Sequence, residues 1–334
     1  MERMKRRNIF KGGPLLGKRS KSNKKKTSAK KTKQPRAKFT VSKAALKASI
    51  IISVLILGGG VVLWWQFIFT DTEKTFEGML HQTLKTTSVT RDISQEAGTQ
   101  TLDQVNRLQF GQDTAIVGRT TITQTGANAA TVVTEEIGTP ELDYVRYTKI
   151  ETQQRDTEPA LNFDEVLGIW GVSEASPGQA QAAGESFSEA VLGVIPFANL
   201  PGSERRELVE FALDNNVYEL DKLGITKDRE NGRPVYTYPV ILQPEGYVGY
   251  LQRVAAAMGI TQLENINPAD FRGVAPIRFT VRVDMLSRQP IEIQFSNQAD
   301  RQELLRDFGV IQPVNIPEDP IPAIELQQRI QAVQ

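Results

Sequence analysis

The stretch that most constrains this chain is 48–70, an apolar run opening with Ala48, Ser49 and Ile50 and closing with Ile68, Phe69 and Thr70. Lys47 is the last charge before it and Asp71 the first after it, leaving 23 uncharged residues. At about 1.5 Å per helical residue, such a run crosses a hydrocarbon core of roughly 30 Å. A helix in lipid satisfies its own backbone donors and acceptors, so the segment is viable without neighbours. Gly58, Gly59 and Gly60 would weaken a helix in water but are tolerated in membrane helices. Trp64 and Trp65 lie toward one end, where amphipathic rings favour the headgroup layer. The sequence predicts one transmembrane helix.

Charge sets its orientation. Residues 1–47 carry 18 Lys and Arg against the single acid Glu2; of the chain's 40 basic and 39 acidic residues this leaves 22 and 38 beyond. The formal net charge of +1 thus hides a cationic tail and an acidic remainder. Excess Lys and Arg on one flank stays cytoplasmic, which places 71–334 outside the cytoplasm. No small-residue cleavage signal follows the run, so it reads as an uncleaved signal-anchor of a plasma-membrane protein. The chain has no cysteine, so the exported part must be stable without disulfides and has no site for a lipoprotein-type lipid anchor. No Asn-x-Ser/Thr acceptor occurs, and a bacterial envelope is the simplest setting.

The tail, 1–47, is too charged and too poor in apolar residues to fold. It suits a topology signal, attraction to anionic lipid headgroups or loose contact with nucleic acid. Only Phe10 and Phe39 interrupt it with aromatic rings, which supplies no base-stacking platform. Gly12, Gly17 and Lys18 brush against a phosphate-loop pattern, but Arg19 stands where Ser or Thr is required and Pro14 lies inside.

Residues 71–334 suffice for one sizeable α+β domain. Phe76, Met79, Leu80 and Leu84 form a helical stripe, with Thr70 and Glu73 as a capping box. From Thr87 to Gln153 the period changes to two, with Val89, Arg91 and Ile93 on one side and Ser88, Thr90 and Asp92 on the other. Turn residues at 111–113, 125–128 and 138–140 divide this region into an antiparallel meander. A helical insert follows at about 154–226, interrupted by the small residues of 173–184. Trp170, Phe187, Val191, Leu192, Ile195, Phe197 and Phe211 supply its apolar surface. Apolar helices behind a loop of small residues suit either a plain cover for the sheet or the lid of a ligand cavity lined by those seven residues.

The last third returns to strands. Pro239 places the strand at 232–242 at an edge or a bulge, and Tyr247, Leu251, Val254 and Met258 mark a helix stopped by Gly259. Ile277, Phe279, Val281, Val283 and Met285 alternate with Arg278, Thr280, Arg282 and Asp284; Ile291, Ile293 and Phe295 continue the buried face on a returning strand. An extended stretch from Pro313 to Pro322 precedes a short helix.

This order of elements, with Gly232-Arg233-Pro234 before a Tyr-rich strand and Asp307-Phe308-Gly309 before a Pro-rich end, resembles the bacterial lipoprotein and lipid carriers of the LolA/LppX-like kind. The resemblance covers most of 73–318. It implies a strongly curved antiparallel sheet, an incompletely closed barrel, with helices over the concave face and an acyl chain between them. A chain tethered by a helix departs from a carrier that shuttles, and the matching motifs are structural, so no ligand-binding residue transfers from them.

Catalysis finds little support. His81 is the only imidazole, no Gly-x-Ser-x-Gly elbow exists, and adjacent Glu135 and Glu136 point to opposite faces of a strand. Glu264, Asp270 and Asp284 lack a calcium-loop spacing. The expectation is a non-enzyme without cofactor or metal. It either binds a lipid or other apolar ligand at the membrane surface, meets an envelope protein partner as an interaction module, or couples its basic tail across the bilayer.

Overall fold

The computed structural model describes residues 71–333 apart from 112, 127, 154–160, 175–183 and 297–299. The basic tail, the apolar run and most of the small-residue stretch at 173–184 lie outside these residues. Among the described residues no helix is long and apolar enough to cross a membrane.

Helix α1 (Thr72–Thr83) begins at Asp71, whose carboxylate accepts from the Lys74 backbone N–H at 3.3 Å. Asp71, rather than Thr70, is therefore the cap: its carboxylate answers both the unpaired N–H and the positive end of the helix dipole. Phe76, Met79 and Leu80 are buried on the expected stripe. The meander follows as β1 (Ser88–Ala97), β2 (Gln100–Gln109), β3 (Ala115–Gln124), β4 (Ala130–Gly138) and β5 (Leu142–Thr152). Ala97 pairs with Gln100, so only Gly98 and Thr99 turn the first hairpin; Gly98 takes φ 63°, a conformation that costs glycine little.

Then come β6 (Gly171–Glu174), α2 (Glu185–Val191), α3 (Gly202–Asp214), β7 (Tyr218–Leu220), β8 (Thr226–Glu230), β9 (Arg233–Leu242) and α4 (Pro244–Ala257). A 3-10 turn (Pro268–Phe271) leads to β10 (Ile277–Asp284), β11 (Pro290–Phe295), β12 (Gln302–Arg306), β13 (Ile321–Pro322) and α5 (Ala323–Val333). Within 154–226 the chain thus contributes short strands as well as helices. These strands escape sequence reading because β6 is four residues long and β8 is charged and exposed.

All the strands join one sheet, in the order β13-β6-β5-β4-β3-β2-β1-β12-β11-β10-β9-β7, with β8 also on β9. Among the described residues the two ends do not pair, so the sheet stays open. It is mixed, not wholly antiparallel, because β13 lies parallel to β6. The central seam is β1 against β12, which welds the first meander to the last.

Pro239 sits neither at the sheet's edge nor at a bulge. β10 pairs with it on one side, while β7 and β8 succeed each other on the other, ending at Val240 and starting at Thr237. The missing N–H falls in that gap, where only the Pro239 carbonyl is used, by the Asp221 N–H at 3.1 Å. The β10 alternation holds for Phe279, Val281, Val283 and Met285, which are buried, but Asp284, expected to face outward, is buried too, its Oδ1 accepting from the Leu286 and Ser287 N–H groups at 2.9 and 2.8 Å. On β11 the register shifts so that Val283 faces Pro290, leaving Ile291 as the extra, half-buried residue.

The core lies where α1–α4 cover one side of this sheet. Phe76 meets Tyr238 edge-on at 5.4 Å, and Tyr218 meets Tyr250 at 6.0 Å. The Tyr238 hydroxyl donates to the Thr72 carbonyl at 2.9 Å, and the Tyr218 hydroxyl to the Val194 carbonyl at 2.9 Å. Each such ring contributes about 1.5–3 kcal/mol through burial while its hydroxyl fixes a neighbouring segment. A smaller cluster, Phe163, Val166 and Leu326, seats α5 against β6.

Candidate functional site

The seven residues grouped from sequence as a cavity lining are dispersed by the fold. Phe187 and Val191 on α2, with Ile195 and Phe197 just after it, are fully buried in the main core. They occupy the space between α2 and the sheet. Packing there is close enough that a Cβ on Gly138 would lie 2.7 Å from Ile116 Cγ2 and 3.0 Å from the Phe187 nitrogen. Phe211 is half-buried under the Arg253 guanidinium, 4.2 Å from its ring, and lines a separate cleft of about 810 Å³ between α3, α4 and the 3-10 turn. The buried side of α3 is instead Leu208, Val209 and Ala212. Trp170 lies on the other side of the sheet, its ring 4.6 Å from the Arg146 guanidinium.

Leu192 alone opens on a crevice between helices. The space, about 410 Å³, runs between α2 and α4 and is walled by Leu192, Leu251 and Leu263, with Glu185, Ser188, Glu189 and Gln262 around it. Local sequence builds both walls. Gly184, at φ 82°, starts α2 after a left-handed residue, and the helix ends after two turns, leaving Leu192 half out of the core. On the other wall α4 begins with Pro244 at its first turn and stops at Gly259, φ 73°. The Ile260 N–H then returns to the Ala255 carbonyl at 2.8 Å, and Gln252 Nε2 donates to the Leu263 carbonyl at 2.8 Å, which pins Leu263 beside Leu251. Among the described residues no hydrogen-bond donor reaches the buried Gln262 Oε1.

The surroundings of α2 are acidic. Burial raises the Glu136, Asp143 and Glu189 carboxyls above the usual carboxylate range. Glu185 and Asp143 push Glu189 further up, and a hydrogen bond from Gln104 partly offsets the rise at Glu136. Asp143 receives the α2 N-terminus from the neighbouring strand, its Oδ2 3.4 Å from the Ser186 N–H. Glu135, adjacent to Glu136, turns to the other face and accepts from Arg146 Nε at 2.9 Å.

Beside this lies a buried ion pair that holds α2 to the seam of the sheet. Arg91 on β1 donates through Nη1 to the Ala190 carbonyl and through Nη2 to Glu303 Oε2 on β12 at 2.7 Å. Glu303 Oε1 accepts from Arg301 Nη2 at 2.7 Å. Burial opposes ionisation of Glu303, but the charges and hydrogen bonds of Arg91 and Arg301 outweigh it and hold the carboxyl below its ordinary range. The Tyr247 hydroxyl on α4 donates to the Gly193 carbonyl at 2.7 Å, tying α4 to the same segment. His81 stands apart in an exposed cleft with Glu77, Arg205, Arg206 and Glu210, and burial lowers its pKa.

Sequence reasoning missed Arg91 and Glu303. The signal for Arg91 was present, since it shares strand parity with Val89 and Ile93; no such alternation announced β12. Leu251 was legible as helix face, and Leu263 was not, because a reverse turn places it.

No protein-family model matches this sequence, and no curated protein matches it. Among solved structures it is similar to LprF from Mycobacterium bovis, at 12% identity and a TM-score of 0.33, over 76% of this chain and 95% of that one.

Proposed function

We propose that this chain is a single-pass membrane protein whose domain outside the cytoplasm binds a neutral lipid or similar apolar ligand. Residues 48–70 anchor it and the basic tail holds the cytoplasmic side. The observation that carries the reading is the crevice between α2 and α4, whose volume suits a small ligand and where Leu192, Leu251 and Leu263 meet within a polar rim. Gln262 Oε1 offers a buried acceptor for a ligand hydroxyl or amine. Glu185 and Glu189 at the rim repel phosphate and carboxylate headgroups, which restricts the ligand to neutral or cationic amphiphiles.

The test is photolabelling of the full chain in membrane vesicles with a medium-chain monoacylglycerol carrying an alkyl diazirine. Crosslinks are expected on peptides holding Leu192, Leu251 or Leu263, and Leu192→Glu should remove them. Labelling confined to the apolar run, with none at these leucines, would sink the reading.

A further inference from the structure

On the face of the sheet turned away from α1–α4 lies a second groove of about 670 Å³, bounded by Trp170 and by the chain at 312–315. We propose that it is an oxyanion site that takes a phosphate group on Arg107 and Arg119.

Strand register builds it. Thr90, Arg107, Val117 and Ile137 face one another across β1–β4, and Val105, Arg119, Glu135 and Arg146 across β2–β5, so period-two alternation sends these arginines to one side. Arg306, opposite Thr90, joins them from the end of β12. The C-terminal stretch then crosses this face as a strap: the Gln312 N–H donates to Gln109 Oε1 at 3.1 Å, and Arg107 Nη1 donates to Gln312 Oε1.

Two of the four guanidinium groups are already answered by carboxylates. Arg146 holds Glu135, and Arg306 holds Asp92, with Nε to Oδ2 at 2.7 Å, and Asp307. Among the described residues Arg107 hydrogen-bonds only to a neutral amide, and its buried Nε meets no acceptor. Among the described residues no hydrogen bond or ion pair engages Arg119, which is exposed at the groove. A buried donor without an acceptor is costly, and a planar fork of N–H groups matches a phosphate edge, so an oxyanion between Arg107 and Arg119 satisfies both. Val105, Val117 and Trp170 leave apolar room beside it for an organic substituent.

Free phosphate and a phospholipid headgroup share this chemistry, and the experiment separates them. The full chain is held in nanodiscs and modified with hydroxyphenylglyoxal, and the rate at Arg119 is read by peptide mass mapping. One arm adds inorganic phosphate to phosphatidylcholine discs, with chloride at equal ionic strength as control. The second uses phosphatidylglycerol discs without phosphate, and the third adds an oligoaspartate peptide. Phosphate about ten times above its Kd should slow Arg119 modification about tenfold. Protection in the first arm assigns a free-phosphate site, and protection in the second alone assigns a lipid headgroup. Protection by oligoaspartate alone, or by none, overturns the proposal. Arg107→Gln should abolish protection while cooperative thermal unfolding persists; full protection in that variant would also overturn it.

Discussion

On β1–β5 the side facing α2 gathers carboxylates, whereas the side facing the C-terminal strap interleaves arginines with acids. Toward α2 stand Glu136 and Asp143, joined by Glu189 from the helix, with Arg91 spent on Glu303 and the Ala190 carbonyl. Toward the strap stand Arg107, Arg119 and Arg146, with Arg306 at their edge. Burial separates the faces further: Arg91 and Glu303 have side chains 5% and 1% exposed, whereas Arg146 and Glu135 are 34% and 29% exposed. Breaking an ion pair withdrawn from water costs far more than breaking a partly exposed one.

The sharpest way to break this contrast is Arg91→Ala. It leaves buried Glu303 with Arg301 as its remaining guanidinium partner and should lower unfolding stability by up to about 3–5 kcal/mol, read by urea denaturation of the detergent-solubilised full chain. Replacing the pair together, as Arg91→Met with Glu303→Leu, should recover most of that loss. Because Glu303 is held below its ordinary value, its contribution is present above the unfolded carboxylate pKa and disappears as pH falls through the lower folded value.

Gly184→Ala comes next. The new Cβ would sit 2.5 Å from the Pro140 carbonyl oxygen at a φ of 82°, so α2 must shift, for about 1–3 kcal/mol. Loss of monoacylglycerol labelling at Leu192 in this variant would tie α2 placement to the crevice.

A smaller effect follows from the raised carboxyls. Glu136, Asp143 and Glu189 favour protonation in the folded state, so their stabilisation is complete below the unfolded carboxylate pKa and is lost as pH rises through their raised folded values. Hydrogen exchange of α2 amides, corrected for intrinsic rate, should slow on going from pH 7 toward about 5. Combining Glu136→Gln with Glu189→Gln should flatten that profile; an unchanged slope would mean that the acids do not govern α2 docking. The smallest change belongs to the exposed face, where Arg146→Gln should cost only about 0.2–1 kcal/mol in the same urea titration.

How much of this was legible depends on how local each determinant is. The α1 stripe, the meander and the β10 alternation were readable because each repeats its own period within a few residues. β12 was not: its Gln302 to Arg306 has no clean alternation, and it becomes a strand because β1 and β11 flank it. Grouping Trp170 with Phe187 and Leu192 rested on their nearness in sequence. β6 carries the chain past the last long strand of the meander, so Trp170 ends on the face away from α2. Phe187, Val191, Ile195 and Phe197 were rightly apolar, yet apolarity alone does not distinguish a side chain that fills a space from one that lines it.

By itself the sequence determined the period of each element, the buried parity of the long strands, the absence of disulfides and the division of charge between tail and remainder. These follow from neighbours along the chain, where side-chain spacing and composition act directly. Tertiary structure alone decided that β1 meets β12, that Arg91 finds Glu303 across 212 residues, and that two leucines and a turn residue enclose a crevice. Such pairings are set by the packing of whole elements, whose free energy depends on every surface buried together and is written in no local stretch.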